Sequence, residues 1–160
     1  MSGIATKAAD SVFYKARMEA KERNEMLSSR EGAAEVMGID RTRLARIELG
    51  TLIPYPEEVV MMADSYNAPE IMNHYCTTEC PIGKRMIPEA GLEQLDRMTI
   101  KILSAVGGVS DVGNIILGVV NDGQVTQAEI PHLEKVLNQL QDVAKSATEL
   151  QIWMDKYVRR

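Results

Sequence analysis

Two sets of side chains in this 160-residue chain could do chemistry. The first is "RTRLAR", from Arg41 to Arg46. It holds three arginines in six residues and no acid, in a chain of formal net charge -5. A guanidinium fork pairs with carboxylates, with phosphate oxygens, and with the two acceptors on guanine's major-groove edge. The second set is Cys76 and Cys80. At i, i+4 on a helix both thiols share one face, a spacing that can supply two of four ligands to a soft metal. His74 points elsewhere on such a helix and His132 is remote in sequence, so neither completes the set. The pair reads as half-buried thiols at a helix end, with metal or redox sensing as the other reading. A disulfide along one helix is geometrically poor. No nucleophile sits beside a histidine, and the adjacent Glu57 and Glu58 fit the start of a helix, where the macrodipole favours acids. Neither enzymatic activity nor a resident cofactor is expected.

The elements that must position these residues are helical. Hydrophobic residues make up 45% of the chain, aromatic residues only 4%, and there are ten methionines. An aliphatic, Met- and Ala-rich core suits helix–helix packing better than a sheet, so the expected class is all-α. Residues 1–9 read as a loose arm. A first helix runs from a cap at Asp10 or Ser11 to about Leu27, and a second opens at Ser28 or Ser29 and closes at Gly38. Asp40 caps a third, Arg41 to Leu49, stopped by Gly50. Pro56 starts a fourth, ending near Tyr66. Asn67 and Pro69 introduce a fifth, Glu70 to about Cys80, closed by Pro81. No run of about 18–20 apolar residues and no secretory leader is evident, which makes the expected location cytoplasmic.

A helix, a tight glycine-bearing turn and a helix that begins with basic residues is the helix-turn-helix plan. Ala34 is small where the helices cross, Gly38 permits a left-handed turn, and Leu44 and Ile47 share the face that must meet the core. Arg41, Thr42 and Arg46 then point away from the core, with Arg43 more lateral. Residues 29–63, "SREGAAEVMGIDRTRLARIELGTLIPYPEEVVMMA", resemble the Cro/lambda-repressor-like (XRE-type) helix-turn-helix regulators. The resemblance is close over about 35 residues and looser over residues 10–80. It implies a five-helix DNA-binding domain in which Arg41, Thr42 and Arg46 face base edges. Arg43 would touch phosphate or flanking bases, and Ser29 and Arg30 would meet the DNA backbone. The sequence departs from that pattern at Leu49, where the family usually has Asn, and at Thr51-Leu52, where a basic residue is common. Gly32 inside the second helix should cost about 1 kcal/mol relative to alanine. The segment "YCTTECPIG" is also similar to one that follows the domain in a clostridial-type group of regulators.

Residues 81–89, with two prolines, one glycine and two basic residues, read as a linker. Beyond it, Leu92, Leu95, Met98, Ile102 and Val106 mark an amphipathic helix broken at Gly107-Gly108. A short apolar helix follows Ser110, and "NDGQVT" is a turn. Thr126 and Glu129 have capping-box spacing, although Pro131 offers an alternative start. The last helix carries Leu133, Val136, Leu137, Leu140, Val143, Ala144, Ala147, Leu150 and Met154, close to a heptad seam. "GGVSDVGNIILG" lacks the ending of a phosphate loop, and a calcium loop ending at Glu129 would put Gly118 and Val120 where carboxylates are needed. The stripe suits a roughly three-helix bundle that pairs with a second copy, so residues 90–160 are expected to form a homodimer. The expectation is a dimeric, DNA-binding transcriptional repressor on a palindromic operator. The alternative is an assembly protein whose helix-turn-helix no longer binds DNA.

Overall fold

The computed structural model describes residues 7–120 and 123–159. The chain is all-α, with no strand among the described residues. It divides into two compact units, Met1–Ile87 and Pro88–Arg160. Most of the expected arm and two residues of the turn "NDGQVT" lie outside the described residues.

The first unit holds α1 (Val12–Ala20), α2 (Arg30–Met37), α3 (Arg41–Glu48), α4 (Pro56–Tyr66), α5 (Glu70–Thr78) and α6 (Gly83–Met86). Side-chain caps set the starts. The Ser11 hydroxyl accepts from the Tyr14 N–H at 3.5 Å, Ser29 from Gly32 at 3.0 Å, and Asp40 from Arg43 at 2.8 Å. Gly38 ends α2 at φ +67°, a left-handed conformation that a Cβ disfavours. Helices α1, α2 and α4 enclose a continuous apolar cluster with Leu27, Leu44, Ile47 and Ile71. Fully burying one such side chain stabilises the fold by about 1.5–3 kcal/mol before entropy is subtracted.

Four boundaries differ from expectation. The first helix stops at Ala20 because the residues that follow have no apolar face: Glu22 to Met26 are all exposed. Asn24 there turns its side chain onto the Met26 N–H at 3.1 Å and starts a 3-10 turn, Glu25–Ser28, that carries Leu27 into the core. Within the expected arm, Lys7–Asp10 form another 3-10 turn that buries Ala8. Asn67 closes α4, in left-handed conformation at φ 50°, instead of opening α5. The expected linker 81–89 contains α6, which packs on α5, so the division falls after Ile87.

The second unit holds α7 (Leu95–Gly108), α8 (Val112–Val120) and α9 (Ile130–Tyr157). Both α7 and α8 pack on α9. The expected heptad stripe is mostly not core. Val136 is buried and Leu133, Val143, Leu150 and Met154 are half-buried, but Leu137, Leu140, Ala144 and Ala147 are exposed. The buried face of α9 instead includes Ser146, Glu149, Ile152 and Lys156. Helices α7 and α8 cover only one side of this 28-residue helix, which leaves Leu137, Leu140, Ala144 and Ala147 uncovered within the described residues of the second unit. Within Leu95–Val119, one 18-residue window has a mean hydropathy of 1.6, enough for a membrane span by length and composition alone. The chain breaks that segment into two helices at residues 109–111, and it contains Lys101 and Asp111.

Candidate nucleic-acid interface

Helix α3 is held against the first unit by Leu44 and Ile47, both buried. That anchoring fixes what its other residues can face. Arg41, Thr42 and Arg46 are exposed, and among the described residues none of their side chains has a hydrogen-bond or ion-pair partner. Arg41 is the first residue of the helix, directly after the Asp40 cap. Ala45 and Leu49 lie between and beyond these side chains, half-buried and exposed respectively.

The remaining arginines of the unit's centre are occupied internally. Glu48 is fully buried and closes a three-residue network. Arg17 donates to it through Nε at 2.5 Å and Nη2 at 3.1 Å, and Arg30 through Nε at 2.6 Å. Arg17 Nη1 also donates to the Leu27 and Ser28 carbonyls, at 2.8 and 3.2 Å. Burial disfavours the Arg17 cation, but the Glu48 carboxylate outweighs it and holds the guanidinium above its ordinary pKa. The phenol of Tyr66 is pushed up by its own burial and by the Glu48 charge.

Arg43 is engaged in the same way. It makes a two-pronged pair with Glu58 on α4, its Nη2 donating at 2.8 Å, and its guanidinium lies 4.4 Å from the Tyr55 ring centroid. The Arg43 hydrogen bonds hold the Glu58 carboxyl below its ordinary pKa against the opposing effect of burial, with help from the Tyr55 N–H.

The six residues proposed from sequence therefore sort into two groups. Arg41, Thr42 and Arg46 form one open face, and Ser29 caps α2 with its hydroxyl exposed. Arg30 and Arg43 are held by carboxylates, and each remains about a quarter exposed, at 29% and 27%. The partners of Glu48 are distant in sequence. Arg17 lies 31 residues away, and only an acid directly following the core residue Ile47 hinted at a buried role.

The cysteines do not share a helix. Helix α5 ends at Thr78, and Cys80 lies beyond it, its N–H reaching back to the Tyr75 carbonyl at 3.2 Å. Its sulfur accepts from the Gly83 N–H at 3.4 Å. Both thiols are free and half-buried, and no group of three or more metal-ligating side chains is brought together among the described residues.

No family model matches the chain, and no curated protein and no solved structure match it either.

Proposed function

We propose that the first unit is a helix-turn-helix module that reads DNA through α3, and that the protein is a dimeric transcriptional regulator. One observation carries this reading. Arg17, Arg30 and Arg43 each have a carboxylate to bind, whereas Arg41 and Arg46 stand unpaired on one exposed face with Thr42 between them. Two unpaired guanidiniums, one at the first residue of α3 and one in its last turn, suit acceptors on base edges and phosphates. The acidity of the chain is compatible with this, since it keeps the rest of the surface off DNA while one patch docks.

Dimerisation is assigned to the second unit. Leu103, Val106, Leu117, Leu137 and Leu140 are all exposed there, and five large apolar side chains on three short-range neighbours call for a covering surface. A second copy supplies it and pairs two weak DNA modules on a two-fold-symmetric site.

The test is selection of bound sequences from random duplexes, with wild type beside an Arg41→Ala/Arg46→Ala variant. A palindrome recovered by wild type alone supports the reading. No enrichment even at low salt removes it. The rival is an assembly role for both units, and it also has an observation behind it: Leu49, Ile53 and Tyr55, exposed in and after α3, give that side an apolar character unlike a phosphate-binding loop.

A further inference from the structure

Cys76 and Cys80 are the only cysteines of the chain, and the α3 face makes no use of them. On one continuous helix their side chains would run parallel and hold the two sulfurs apart. The structure removes that obstacle. Helix α5 ends at Thr78, and Pro81 has no N–H with which to continue it. The Cys80 N–H passes over the Cys76 carbonyl, its regular helical acceptor, and bonds to the Tyr75 carbonyl at 3.2 Å. Cys80 is thereby drawn in over the last turn of α5.

The residues that follow fold back onto the same place. Helix α6 packs on α5, and Gly83 lies so close to Cys76 that a Cβ on it would overlap the Cys76 carbonyl oxygen. The same glycine donates its N–H to the Cys80 sulfur at 3.4 Å. One residue therefore touches both cysteines, the backbone of the first and the sulfur of the second. The phenol of Tyr75 reports the same cluster. It is held above its ordinary pKa by burial first, then by the charges that Cys80 and Cys76 carry when ionised, so both thiols lie near one hydroxyl. Both cysteines are half-buried, and neither is sealed in the core. Among the described residues no third ligand joins them to hold a metal.

We propose that Cys76 and Cys80 form a reversible dithiol–disulfide site, oxidised by a low-molecular-weight disulfide. One cysteine thiolate attacks a sulfur of the small disulfide and expels its first half as a thiolate. The other cysteine then attacks the mixed disulfide and expels the second half. The chain gives up two electrons and two protons, and the small disulfide leaves as two thiols. The new bond staples the last turn of α5 to the turn that opens α6. It does not depend on the DNA-binding reading, because it is measured without DNA.

The experiment equilibrates the full chain with glutathione buffers of graded thiol-to-disulfide ratio, once folded and once in urea. Samples are quenched in acid and read by intact mass. A species lighter by two hydrogens is expected, with an equilibrium constant about tenfold or more larger in the folded chain, because the fold brings the thiols together. Cys76→Ser and Cys80→Ser should each yield only a glutathione adduct. A folded-state constant equal to or below that in urea overturns the proposal. So does a folded chain that collects two glutathione adducts, or a disulfide-linked dimer, in place of the internal bond. Zinc bound at one ion per two chains and protecting both thiols from exchange overturns it as well, in favour of a metal shared between two copies.

Discussion

The two units of this chain spend their residues in opposite ways. The first puts its apolar side chains in one continuous cluster and closes its buried charge into hydrogen-bonded pairs, Glu48 with Arg17 and Arg30, and Glu58 with Arg43. The second leaves leucines and valines outside and buries a serine and a glutamate. The second has an apolar exterior, which is the mark of an element finished by a covering surface.

The largest expected effect breaks the first half of that contrast. Glu48→Ala leaves Arg17, 3% exposed, as an uncompensated buried cation. Removing one member of such a pair typically costs about 3–5 kcal/mol. Chemical denaturation should show the transition of the first unit moving to much lower denaturant, with the second unit's helices unaffected. A midpoint within error of wild type would mean the network is not what holds α1, α2 and α3 together.

The second prediction concerns the exposed seam. Leu137→Glu/Leu140→Glu should convert a dimer to a monomer in sedimentation velocity and lower operator affinity about 10²-fold through lost avidity. The first unit should melt as before. A wild-type protein that is already monomeric at micromolar concentration, and that partitions onto lipid vesicles, would show instead that Leu95–Val119 is covered by a bilayer.

Much of the first unit was legible in the sequence because its signals are local. Ser29, Gly38, Asp40 and Pro56 each act on the backbone within a turn of themselves, and each sits where expected. What failed was long-range. Nothing within a few residues of Glu48 announces Arg17, and a periodic stripe on α9 cannot say how much of itself this chain will cover. Gly32 is the sharpest case. By helix propensity alone it is a defect, and replacing it with alanine should help. In the fold, a Cβ there would lie 2.2 Å from the Met26 carbonyl oxygen, where the 3-10 turn crosses α2. Gly32→Ala is therefore expected to destabilise by about 1–3 kcal/mol through overpacking, read as a lower Tm; a higher Tm would return the residue to its propensity value.

A finer test separates the arginines of α3 from one another. Arg41→Ala or Arg46→Ala should cost about 1–3 kcal/mol of specific DNA affinity and leave the melting temperature alone. Arg43→Ala should do the reverse, lowering the Tm by releasing Glu58 and Tyr55 with a smaller change in sequence preference. If all three behave alike, the division between free and internally paired arginines is not functional.

The smallest effect is the pH dependence of that pair. The Arg43 hydrogen bonds hold the folded Glu58 carboxyl below its ordinary value of 4.5, with burial opposing them. A depressed folded pKa means the unfolded chain binds the proton more tightly. The stabilisation is therefore fully present above about 4.5 and disappears as pH falls through the lower folded value. Arg43→Ala removes the leading cause of the depression. Burial is then opposed only by the Tyr55 N–H, which donates to Glu58 at 2.7 Å, so the carboxyl should titrate higher. Carbon-detected NMR of the Glu58 carboxyl in the two proteins measures this directly. The matching thermodynamic sign is a Tm gap between wild type and Arg43→Ala that is constant near neutrality and narrows in acid. A gap independent of pH would assign the Arg43 contribution to its contact with the Tyr55 ring, which persists when Glu58 is protonated.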